Sequence, residues 1–98
     1  MTTTFNPETA EITDGTYSMF VEIFPAPLGK GTIIRNSNQE DARVSPKLSA
    51  EVVEKTVARL ISDVFPLYVE QCQAEAAGDR KLVFQLNAKI SMAITRIQ

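Results

Sequence analysis

Residues 49–98 read SAEVVEKTVARLISDVFPLYVEQCQAEAAGDRKLVFQLNAKISMAITRIQ, and the spacing of apolar residues in this half decides the fold. Val53, Val57, Leu60 and Val64 recur at intervals of four, three and four, and Ile61, Phe65 and Tyr68 widen the stripe. That period places them on one side of a helix with a broad face to bury. Ser45, with Pro46 in the first turn, supplies a hydroxyl for the free N–H groups there; alternatively Ser49 is the cap, with Leu48 placed to staple onto Val53. Pro66 has no N–H, and its ring crowds the carbonyl four residues back. The sequence therefore predicts a helix kinked at Pro66 that resumes through Cys72 to Ala77. Gly78 stops it, and Asp79 caps a final helix from Arg80 to Gln98, closing a tight helical hairpin.

In the last helix Val83, Leu86, Ile90, Ala93 and Ile97 fall at intervals of three, four, three and four. Such a seam suits antiparallel packing on the preceding helix. Val83, Leu86, Ile90 and Ile97 serve equally well as the contact of a homodimer. Lengths impose a further condition. At 1.5 Å per residue the first helix is about 43 Å long and the last about 28 Å. Folded back from Gly78, the last helix leaves the first two or three turns after Ser49 uncovered, and those turns need the N-terminal half or another chain.

Upstream, residues 16–36 read as a β-hairpin. Tyr17 to Phe24 is rich in β-branched and aromatic residues, Thr32 to Arg35 is the return strand, and the prolines and glycines between Pro25 and Gly31 make an irregular tip. Asn36 to Arg43 is polar and reads as a loop. Residues 1–15 carry only Phe5 and Ile12 as sizeable apolar anchors; with Glu8, Glu11 and Asp14 they read as an acidic arm, or alternatively as a weak edge strand. Asn6-Pro7 and Asp14-Gly15 are turn signals within it. An isolated two-stranded hairpin is marginal in water and must pack on the helices. The expected architecture is a single α+β domain over residues 1–98: an arm (1–15), a small antiparallel sheet (16–36) and an antiparallel helical hairpin (45–98).

Composition narrows function mainly by exclusion. With 98 residues, 44% hydrophobic and 22% charged, the chain has the makings of one core rather than a disordered segment. The net charge of −2 opposes general affinity for nucleic acid or an anionic membrane. The one cysteine, Cys72, allows no internal disulfide, and residues 1–15 resemble neither a signal nor a transit sequence, so the expected address is cytoplasmic.

Histidine is absent, which removes the commonest general base and the commonest metal ligand. No catalytic residue, metal or cofactor is expected. Cys72, among Tyr68, Val69 and Ala76, reads as a small buried hydrophobe. Glu51, Glu54, Asp63, Glu70 and Glu75, alternating with Lys47, Lys55 and Arg59, read as a solvated helix face, with Glu51 and Lys55 paired four residues apart. Gly29-Lys30-Gly31-Thr32 lacks the upstream glycine and the Lys-Ser/Thr pair of a phosphate loop, and it precedes a strand.

Two features point to binding. Residues 80–98 contain Arg80, Lys81, Lys89 and Arg96 and no acid. Lys81, Gln85, Lys89 and Arg96 share the side of the helix opposite the seam. In the first strand Tyr17, Met19, Val21 and Ile23 point to one face, while Phe20 and Phe24, with Ser18 and Glu22, point to the other. With helices on one side only, Phe20, Phe24 and Leu28 would form an apolar patch. The expectation is a non-enzymatic protein-binding module, a small regulator, adaptor or inhibitor of the kind phages and mobile elements encode. Its docking surface would be Phe20, Phe24 and Leu28, or the face bearing Lys81, Lys89 and Arg96. The alternative is a nucleic-acid-binding protein that uses the basic last helix as a dimer.

Overall fold

The structure, a computed structural model, describes residues 2–28 and 31–98. It is an α+β fold: strands β1 (Thr4–Asn6), β2 (Glu11–Thr13), β3 (Ser18–Pro25), β4 (Thr32–Ser37) and β5 (Arg43–Val44) precede helices α1 (Ala50–Arg59), α2 (Phe65–Ala76) and α3 (Arg80–Ile97). A π-helical segment, Leu60–Val64, joins α1 to α2.

The sheet is larger than a hairpin. Its order is β1-β2-β3-β4, antiparallel throughout, and the short β5 pairs parallel with the second half of β3. Residues 4–13 are thus two paired strands rather than a free arm. Phe5 and Ile12, which look like isolated anchors, are cross-strand partners, and Ile12 in turn faces Met19. Three-residue strands are too short to display alternation, so the sequence shows only their turns. Those turns form as their chemistry dictates: the Glu8 N–H donates to Asn6 Oδ1 at 3.0 Å. The N–H groups of Thr16 and Tyr17 donate to Asp14 Oδ1 at 2.9 and 2.8 Å, beside Gly15 at φ +93°. These donors hold the Asp14 carboxyl below its ordinary pKa.

The polar stretch after β4 also carries a strand. Arg43 pairs with Glu22 and Val44 with Ile23, and the Ser45 N–H donates to the Ile23 carbonyl at 2.9 Å. Of the proposed hairpin tip, Gly29 and Lys30 lie outside the described residues.

All helices cover one face of the sheet. Ile12, Met19, Val21, Ile23 and Ile34 from the strands share a buried core with Val57, Leu60, Val64, Phe65, Ile90 and Ile94 from the helices. Ser49 caps α1, its hydroxyl accepting from the Val52 N–H at 3.2 Å, and Asp79 caps α3, accepting from the Leu82 N–H at 3.1 Å. Gly78 turns the chain between α2 and α3 at φ +73°, where a side chain would be strained.

Pro66 does not break the long helix. The ladder widens in the turn before it: the Phe65 N–H reaches the Leu60 carbonyl, five residues back, and Val64 departs to φ −108°. Proline cannot donate to the carbonyl of Ser62, and its ring needs room there. A π turn is one of the few ways a helix makes that room.

Candidate functional site

The outer face of the sheet is the first place to look, because no helix covers it. Register puts Phe20 beside Glu11 and Ser37, and Phe24 beside Ile33, on that face. Both rings are half-buried rather than open. Glu22 separates them along β3, and the Arg43 guanidinium lies 5.9 Å from the centre of the Phe24 ring. The Glu22 carboxylate also accepts from the Ser37 hydroxyl at 3.2 Å. Leu28 is 98% exposed but stands at the far tip. Polar and charged side chains lie among the rings: Glu22 between them on β3 itself, Ser37 of β4 beside Phe20 and Arg43 of β5 beside Phe24.

The seam of α3 faces inward. Leu86 and Ile90 are buried and Val83 and Ile97 half-buried, packed within the same chain. Ile94, one position from the expected Ala93, is the deeper member of the last pair. A homodimer through Val83, Leu86, Ile90 and Ile97 would compete with the chain's own core, so the seam offers no free face.

Two clefts lie on either side of the helix at residues 57–63. The first is an apolar groove of about 730 Å³ between α1 and the sheet margin. Val53, Val57, Ala58 and Ile61 form its helical wall; Phe5, Pro7, Val44 and Leu48 form the wall opposite, and Glu54 is its one charged residue. Its origin is the mismatch of helix lengths. α3 packs on α2 and on the π segment, and the first turns of α1 are left to short strands and the segment 44–48.

The second is a cleft of about 580 Å³ between the π segment and α3, lined by Arg59, Ser62, Asp63, Leu67, Lys89, Met92, Ala93 and Arg96. Two of the expected binding residues, Lys89 and Arg96, meet here. Lys81 does not, lying eight residues, about 12 Å along the helix, before Lys89. Arg59 joins them from the other helix, a partner that spacing within one segment could not reveal. Among the described residues the one ion pair is Lys55–Glu51, at 3.2 Å. Arg59, Lys89 and Arg96 therefore have no carboxylate within ion-pair reach. Arg59 and Asp63 stand four apart, a spacing that brings side chains together in a regular α-helix. The π turn moves alignment from four residues to five, and Asp63 instead accepts from the Ser62 hydroxyl at 3.0 Å.

No protein-family model matches the chain, and no curated protein or solved structure does.

On the exposed side of α3, Phe84 is 76% and Met92 57% exposed. Phe84, Ala88 and Met92 follow one another at intervals of four, a second, narrower stripe beside the basic residues. The sequence carries that signal, but the stronger seam on the opposite face masks it. In the first turn of α2, burial and then the adjacent Cys72 thiol push the Tyr68 phenol up to about 12. Among the described residues no three His, Cys, Asp or Glu side chains gather as a metal site, and no helix is long and apolar enough to cross a membrane.

Proposed function

We propose that the chain is a non-enzymatic protein-binding module, a small regulator, adaptor or inhibitor that acts by seating part of a partner protein in the groove beside α1. One observation carries this reading: the apolar side of α1 is walled by the sheet margin but not closed. Val53 and Ile61 remain half-buried in an open channel, although the same stripe is fully buried at Leu60 and Val64. An open channel with few polar groups suits a short apolar helix or extended segment. Glu54, with no ion partner among the described residues, favours an occupant carrying a basic residue at its edge.

The chemistry of the two clefts is in keeping with binding rather than catalysis. The groove holds one carboxylate and the cationic cleft one, so neither presents the carboxylate pair that acid–base chemistry without histidine would use.

The test is co-purification from the native cell with wild-type chain and with Ala58→Arg, which places a long cation in the groove at an exposed helix position. A partner retained by the wild type and lost by the variant, with helical circular dichroism unchanged, supports the reading. An identical set of retained proteins rejects it.

A further inference from the structure

The cationic cleft has a composition that the groove does not account for. Three cations from two helices converge on a floor made by Leu67, Ala93 and the exposed Met92, in a protein whose net charge is −2. Among the described residues none of the three has a carboxylate within ion-pair reach. Like charges gathered at a concave surface repel one another, and an incoming anion relieves that repulsion. The π turn contributes directly, because it takes Asp63 out of the spacing at which it would pair with Arg59.

We infer that this cleft is a second docking site, and that its occupant is an acidic protein segment in which carboxylates flank a bulky apolar side chain. The carboxylates would meet Arg59, Lys89 and Arg96, and the apolar side chain would lie on Leu67, Met92 and Ala93. Asp63 distinguishes this occupant from a nucleic acid. A carboxylate in the lining repels phosphates and carboxylates alike, but a peptide can set backbone N–H groups against Asp63 and Ser62, and a phosphate backbone has none to offer. The apolar floor points the same way, since a phosphate-lined strand gains little from Met92. The site stands apart from the groove, on the other side of residues 57–63, so either can fail without the other.

The probe is a short fluorescein-labelled peptide alternating glutamate with leucine, followed by anisotropy at low and high salt and by amide chemical shifts of the isotope-labelled chain. Binding is expected to shift the amides of Ser62, Leu67, Lys89 and Arg96 and to weaken steeply with salt. Lys89→Glu and Arg96→Glu, both at exposed positions, should each weaken it roughly tenfold, and the double variant should abolish it. A peptide with glutamine in place of glutamate should not bind. Ala58→Gln, an uncharged change in the groove, should leave the affinity unchanged. The proposal is overturned if the peptide fails to bind at low salt, or if its affinity is the same with both cations reversed. It is also overturned if a single-stranded oligonucleotide of equal charge binds the cleft more tightly than the peptide.

Discussion

The two halves of the long helix carry one continuous apolar stripe and treat it differently. Along α2 the stripe meets α3, a partner with a matching seam joined by the tight turn at Gly78; Phe65, Ala74, Leu86 and Ile90 are buried as a result. Along α1 and into the π segment the partners are strands of two and three residues and an irregular segment; Val57 is buried, but Val53 and Ile61 are only half-covered. The difference shows that a helical pattern specifies a demand for cover, whereas the elements available decide how far it is met. Surface left over where the cover is short is where a second protein gains most by binding.

The largest effect should come from the closed half. Leu86→Ala removes a fully buried side chain between α2 and α3 and should cost about 2–5 kcal/mol in chemical denaturation. Val53→Ala, on the same kind of stripe but in the open groove, should cost about 1 kcal/mol or less. Equal costs would abolish the distinction between the halves. Next comes the charge of the cleft that separates them. Asp63→Asn removes its one carboxylate and should tighten the glutamate–leucine peptide about threefold at low salt, an effect that fades as salt rises. A weaker complex would mean that Asp63 holds the peptide's N–H groups more strongly than it repels its carboxylates.

The smallest effect is the titration of Tyr68. Its phenol is held neutral up to about 12 against an ordinary 10.0, first by burial and then by Cys72. A group whose pKa is raised by folding favours the native state fully below its unfolded value. Its contribution is therefore intact below pH 10 and is lost as the pH rises through about 12. An ultraviolet titration should show one tyrosine ionising near 12, and Tyr68→Phe should remove that component.

Much of the helical half was legible in the sequence because its signals are long and local. Ser49, Gly78 and Asp79 act where their chemistry places them, and the intervals of the seam foretell the burial of Leu86 and Ile90. The length mismatch even indicated which turns of α1 would lack a helical partner. The N-terminal strands were hidden because Phe5 and Ile12 each stand alone in three residues, and only pairing across a turn makes them a face. Arg43-Val44 was hidden for the related reason that its partner, β3, lies some twenty residues upstream. Lys89 and Arg96 could be singled out from the charge of one helix, but Arg59 comes from another element. At Phe20 and Phe24 the intervening Glu22 was visible in the strand, whereas Arg43 and Ser37 come beside the rings only once the sheet is formed.

The central claim is that the open half of the long helix is where a partner protein sits, and site-specific photocrosslinking in the native cell tests it most directly. A photoreactive residue at Ala58, in the groove, is compared with one at the exposed Gln73 on α2. The account predicts one dominant crosslinked protein from position 58 and none from position 73. The same crosslinks from both positions, or none from 58 and a clear one from 73, would contradict it.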